Sequence, residues 1–418
     1  DKRDKTNTVT NPLKEINPTK DVTVKVGGDS IDGKSVYLNH TFLYRLDSSI
    51  LPPDRAYQTV TDWGGTDQLN TEYDQYLGNW AVYASRDLYR DGQMLAAKGE
   101  KIAGSGFDSS KFGGNLFTVD ADDNGKVTAD ATQAYLDLVS ADNEHEAGWV
   151  LYLQCKRIAV ADEVPNTWTE TINGQPRESN KVVTKTPDMT PSIHLEKVDT
   201  PTLKQEGQEQ ADRDDSKQAL KMDADSIGIT FIITNTSKTD PATGDGAWYK
   251  ASDLNLDDST IVGDAHVDMD SLAYPDNWDT LVLKPGESVS VTGTLKGVKE
   301  GETHTDRAIV TGTPLVECAP SNGDPFNDES GDGIDPEYST GDVTEIDGKQ
   351  LCADTQTTSN TDDWNGYRSK PLASTGTAVL GLAGGTLAVL LAGGSLLVFR
   401  KRHYAQGSGR HTAANAGK

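Results

Sequence analysis

The chain has 418 residues, 39 Lys and Arg against 65 Asp and Glu, a formal charge of −26, and 35% hydrophobic residues. That length fits two or three domains, and the acidic excess excludes nucleic acid as a partner, because a phosphate-tracking surface needs clustered Lys and Arg to release counterions. Three cysteines exclude a disulfide-framework miniprotein, and with no CxxC or Cys/His cluster at zinc spacing no metal site is expected.

The chain opens Asp1-Lys2-Arg3-Asp4-Lys5, without Met or an apolar leader, as expected of the C-terminal part of a longer precursor. Residues 1–15 read as the end of a preceding, truncated domain and a linker. Beyond them Val22–Val26, Thr41–Leu46, Val150–Val160, Ile227–Ile233 and Val289–Thr294 alternate or run apolar between Gly, Asp, Asn and Pro turns. The fold class expected is all-β, with tandem β-sandwiches over 16–190 and 191–360 divided at Pro187–Pro191, and a polar spacer over 361–371. One helical stretch, Ala129–Ser140, sets Tyr135, Leu136 and Val139 on one side, for packing. Lys20 shares strand parity with Val22, Val24 and Val26, Asn180 with Val182, and Asp62 with Val60, so all three are expected to point inward.

Several motifs are discounted. Gly28–Ser35 fits GxxxxGK[ST], but a strand follows it, so no helix N-terminus faces a phosphate. Asp120–Gly125 begins like an EF-hand loop, yet Ala131 stands where a bidentate Glu is required; a structural Ca²⁺ rests only on the dense acidic turns, and no other cofactor is expected. His40, His145, His194, His266 and His304 are scattered, there is no GxSxG, and activity on an external substrate is not expected. Cys155 shares parity with Leu151 and Leu153 and reads as a buried thiol. Cys318 and Cys352 flank an acidic segment and make a disulfide outside the cell.

Thr377–Phe399 is an uncharged run of 23 residues rich in Leu, Val, Ala and Gly, long enough as a helix to span a hydrocarbon core. Arg400, Lys401 and Arg402 follow and hold the cytoplasmic side, which puts the residues before 377 outside. Upstream stands Leu372-Ala373-Ser374-Thr375-Gly376. Pentapeptide, apolar run and basic tail together resemble the sortase sorting signal of Gram-positive wall proteins, over 372–418. The resemblance implies sortase as a partner, transient membrane insertion, cleavage between Thr375 and Gly376, and covalent attachment of Thr375 to peptidoglycan. The released segment holds five basic residues and no acid, so the retained part carries −31.

Ile16–Val22, Ile31-Asp32-Gly33, Tyr44-Arg45-Leu46, Tyr73–Gly78, Leu151–Val160 and Ser179–Val182 resemble, in order and spacing, the C-terminal stalk domains of antigen I/II-type adhesins. That resemblance implies an intramolecular isopeptide bond between a Lys on the first strand and an Asn on the last, assisted by an acid: Lys20, Asn180 and Asp62. In the second domain Phe231–Thr236, Leu283–Ser288 and His304–Thr313 resemble Ig-like spacer repeats of bacterial surface proteins. The expected function is a wall-anchored adhesin whose stalk presents a binding head to a host or bacterial surface ligand. A sortase-assembled pilus tip or other structural subunit is the alternative.

Overall fold

The computed structural model describes residues 16–55, 59–200, 213–326 and 343–370. The expected end of a preceding domain (1–15), the sorting pentapeptide 372–376, the membrane run 377–399 and the basic tail lie outside the described residues. Among the described residues no helix is long and apolar enough to cross a membrane.

The first half is two five-stranded sheets face to face. One runs Thr19–Thr23, Thr41–Asp47, Trp149–Arg157, Asp74–Ala84, Lys101–Gly104; the other runs Gln175–Glu178, Trp168–Ile172, Trp63–Gln68, Lys126–Ala131, Phe117–Ala121. Neighbours within each sheet are antiparallel. Between the sheets, Trp149 lies 6.1 Å from Trp63 and 5.8 Å from Trp168, with Phe117 and Tyr135 against them. Such aromatic edges bury large apolar area and fix the spacing of the two sheets. The strand Trp63–Gln68 gets close to both neighbours because Gly64 and Gly65 carry no side chain. A Cβ on Gly65 would stand 2.6 Å from the Trp168 ring, and one on Gly64 2.4 Å from Ala129 O. The last strand, Val182–Thr186, joins neither sheet and pairs with Ala161–Asn166 as a two-stranded ribbon.

Expected elements differ at their ends. The first strand stops at Thr23, so Val24 is 47% exposed and the inward parity drawn through Val24 and Val26 does not hold. The helix begins at Gln133, after a strand that runs to Ala131, and buries Tyr135, Leu136 and Val139 as expected.

The second half repeats the architecture. Ile193–Thr200, Ser226–Asn235, Ser288–Lys296 and His266–Val267 form one sheet; Leu220–Met222, Asp362–Arg368, Thr303–Gly312 and Asn255–Val262 form the facing one. Leu195, Phe231, Ile233, Val291, Leu295, Ala308, Val310 and Trp364 fill the space between. Residues 361–371 were expected as a polar spacer; instead Asp362–Arg368 is a central strand, anchored by the fully buried Trp364. Its polar residues misled because several are buried and satisfied: Asn365, for example, accepts from Thr305 Oγ1 at 2.6 Å and donates to Arg213 O at 2.7 Å.

A small third sheet, Leu315–Glu317, Lys349–Ala353 and Thr344–Ile346, is closed by the Cys318–Cys352 disulfide. The two sandwiches are also pinned to each other. Ser35 Oγ donates to Asp240 at 2.8 Å, Tyr37 OH to Asp245 at 3.0 Å, and Phe326 inserts among Leu43, Tyr83, Val150 and Tyr152 of the first half.

Candidate functional site

Lys20 is paired in register with Leu46, and this side of the strand faces the interior. Its side chain is therefore driven across the core, and at 3% exposure its amine has left water almost entirely. The amine lies 4.5 Å from the centre of the Tyr44 ring and donates to Asp67 Oδ2 on the facing sheet. Burial pulls the Lys20 amine below its ordinary range, with the Asp67 charge opposing. The neutral amine, which is the nucleophilic form, is thereby favoured.

Asp67 stands where Asp62 was expected. The strand begins at Trp63, so parity counted from Val60 fails. Asp67 shares the inward face with Trp63 and Gly65 and is 1% exposed, whereas Asp62 accepts from Gly174 N at 3.1 Å and caps a surface turn. The alternation Trp63-x-Gly65-x-Asp67 was the available signal.

Asn180 is close to Lys20 but engaged elsewhere. Its Oδ1 accepts from Lys20 N at 2.8 Å and its Nδ2 donates to Lys20 O at 2.9 Å, so the carboxamide is spent on the main chain of the first strand. Trp168 Nε1 adds a third tie, to Thr19 O at 3.0 Å. The carboxamide that is buried with its NH₂ group unpartnered is Asn166, 6% exposed, at the end of the strand Ala161–Asn166. Trp168, two residues further on, is the register partner of Asp67, which puts Asn166 on the segment running beside the acid. Asp67 Oδ1 is likewise buried without a hydrogen bond. Such orphaned groups in a packed core call for an explanation.

A second buried charge pair lies nearby and is complete. Arg157 donates from Nε to Asp74 Oδ1 at 2.8 Å, from Nη1 to Thr186 Oγ1 at 2.7 Å and from Nη2 to Thr184 Oγ1 at 2.6 Å, and Tyr44 OH donates to Asp74 Oδ2 at 2.7 Å. Every strong donor and acceptor has a partner, as a structural ion pair requires. Cys155 is fully buried, and burial pushes its thiol well above its ordinary range. The acidic turn at Asp122 is held by its own backbone, with Oδ1 accepting from Asn124 N and Lys126 N at 2.9 Å each. Among the described residues no group of three His, Cys, Asp or Glu is placed to hold a metal.

Residues 17–187 match the protein family described as "Cell surface antigen C-terminus". The chain is similar to the aggregation substance of Enterococcus faecalis, 36% identical over 189 residues, 44% of this chain and 14% of that protein. Among solved structures it is similar to the C-terminal domain of the Streptococcus pyogenes antigen I/II-family protein AspA, at 28% identity over 41% of this chain and 47% of that one, with a TM-score of 0.35. It is also similar to the C-terminal domain of the Streptococcus agalactiae AgI/II polypeptide BspA, at 23% identity over 41% and 50%, TM-score 0.35. The match to this family falls on the first sandwich, and the chain spans about a seventh of the curated relative it matches.

Proposed function

We propose that this chain is the stalk of a wall-anchored surface adhesin of a Gram-positive bacterium, and that its first sandwich is locked by an amide between Lys20 Nζ and the Asn166 side chain. The observation that carries this reading is a lysine amine buried against Asp67 on the first strand of a domain that matches a cell-surface antigen C-terminus. In the step proposed, the Lys20 ammonium gives a proton to Asp67, the neutral amine attacks the Asn166 carbonyl carbon, the new C–N bond forms, the old one breaks, and ammonia leaves with the returned proton. Asp67 acts once, on its own chain, and no turnover on an external substrate is involved. A bond from the first strand to Asn166 carries tension past the strands that lie between these two residues, which suits a stalk under shear.

The pentapeptide Leu372–Gly376 supplies the anchor, with sortase and peptidoglycan as partners through Thr375. Thr375→Ala is expected to shift the protein from the wall fraction to membrane and medium; unchanged wall retention overturns the anchoring. The cross-link is tested by the mass of the purified chain after unfolding. Asn166→Ala is expected to restore one ammonia to the mass, and Asn180→Ala is expected to leave the deficit in place. The reverse pattern overturns the assignment to Asn166.

A further inference from the structure

The second sandwich contains its own lysine buried to the last atom, and nothing in the function proposed above uses it. Lys197 lies on the first strand of this half, paired in register with Phe231, and its side chain crosses the core 5.6 Å from the Phe231 ring. It reaches two acids on neighbouring strands of the facing sheet. Nζ donates to Asp258 Oδ2 and stands 2.7 Å from Asp306 Oδ1; the side chains of Lys197, Asp258 and Asp306 are 0%, 2% and 0% exposed.

We propose that the second sandwich carries a cross-link of its own, an amide joining Lys197 Nζ to the side chain of Asp306 and formed with loss of water.

Two observations argue against a plain ion pair. First, the Asp306 carboxylate is badly used as an acceptor. Neither of its oxygens takes a well-formed hydrogen bond, although Nζ touches one and His304 Nε2 stands 3.3 Å from the other. Asp74 in the first half, buried as deeply, has both oxygens satisfied. A buried pair that is an end state needs that satisfaction to offset desolvation. Second, the register repeats. Asp306 is two residues before Ala308, and Ala308 is the register partner of Asp258; Asn166 is two residues before Trp168, the register partner of Asp67. Each half therefore sets a first-strand lysine against an acid, with an acyl-bearing side chain two residues before that acid's register partner. The family match ends at residue 187, so this half is read from its own geometry.

The step balances internally. The ammonium of Lys197 and the carboxylate of Asp306 exchange a proton, leaving amine and carboxylic acid. Nζ attacks Asp306 Cγ, Asp258 accepts the proton shed by Nζ and hands it to the departing hydroxyl, a C–N bond replaces a C–O bond, and one water leaves. Asp258 suits the carrier role: burial pushes its carboxyl up to about 6, the Lys197 charge opposing and Asp306 adding, so it exchanges protons near neutrality.

The test is peptide mapping of the whole purified chain, reduced, unfolded and cut with trypsin. The expected product is the Glu300–Arg307 peptide joined to the peptide holding an uncleaved Lys197, short of the sum of the two by one water. Asp306→Asn is expected to give the same joined product, now short of its own sequence by one ammonia, because only the leaving group changes. Asp258→Asn is expected to leave the two peptides separate in a chain that keeps its β-sheet circular dichroism. Cleavage after Lys197 with a free Glu300–Arg307 peptide in the wild-type chain overturns the proposal, and so does linkage mapped to Asp258. Because these peptides and this leaving group differ from those of the Lys20 bond, either cross-link can fail without the other.

Discussion

The two sandwiches close their ends with one hydrogen-bonded device and bury different polar side chains beneath it. In the first half Ser179 Oγ accepts from Trp168 N at 3.1 Å and donates to Asn180 O at 2.8 Å, while the Asn180 carboxamide clasps both polar groups of Lys20. In the second half Ser359 Oγ accepts from Val310 N at 2.9 Å and donates to Asn360 O at 2.6 Å, while Asn360 clasps Leu195 N and O, each at 2.9 Å. The Ser-Asn pair is thus a clasp that ties the last segment of a sandwich to its first strand. The core beneath differs. The first half offers a carboxamide, Asn166, and keeps a separate, fully satisfied Arg157–Asp74 pair; the second offers two carboxyls around one amine. Asn180 makes hydrogen bonds to the main chain of Lys20, and the side chains proposed to react lie two residues before the register partner of the buried acid.

The largest expected effects fall on the two buried lysines. Lys20→Met and Lys197→Met would each remove a proposed cross-link worth about 5 kcal/mol on the loop-entropy model, and each strands buried carboxylates. We expect the largest fall in melting temperature from these two variants, with mass deficits restored one at a time; equal stability to wild type contradicts the cross-links. Next stands Arg157→Met, which leaves Asp74 buried without its cation and is expected to cost about 3–5 kcal/mol with no change of mass deficit. Replacing Cys318 and Cys352 with Ser opens a loop of 34 residues and is expected to cost up to about 4 kcal/mol, measured by denaturant unfolding.

Smaller effects sharpen the distinction. Asn180→Ala and Asn360→Ala remove clasps of two hydrogen bonds each and are expected to cost about 1–3 kcal/mol, both deficits intact. The second half also has a pH dependence that the first lacks at the corresponding place. Asp362 accepts from Lys197 N, and its carboxyl is pushed from 3.8 up to about 8, by burial first, with that N–H opposing and Asp214 adding. A carboxyl raised on folding binds more protons in the folded state. Its contribution is therefore full below about pH 4 and is lost as pH rises through about 8. Asp362→Asn is expected to flatten the decline in melting temperature across that window; an unchanged slope contradicts the assignment.

Much of this was legible in the chain because period-2 alternation survives wherever one face of a strand is dry. Thr41–Leu46, Ile227–Ile233 and Val289–Thr294 fall within strands, and Lys20 does point inward. The failures share a cause: parity says which face a residue takes only after the strand's ends are known. Counting from Val60 crossed the start of the strand at Trp63 and selected Asp62 over Asp67. Counting from Val182 drew Asn180 inward, although it precedes the strand and clasps a backbone. Asp362–Arg368 was read as spacer because its acids and amides outnumber its apolar residues, and only tertiary partners such as Thr305 and Arg213 make them tolerable inside. Asp258 and Asp306 went unremarked since a pair of acids 48 residues apart carries no local pattern; only the register of their two strands brings them to one lysine.

The most direct measurement is the intact mass of the whole purified chain, reduced and unfolded before ionisation. Two locked sandwiches predict a single species lighter than the sequence by one ammonia and one water, at full occupancy and unchanged by further heating. A chain at its full sequence mass, with both lysines open to acetylation after unfolding, contradicts the claim that these cores are covalently closed.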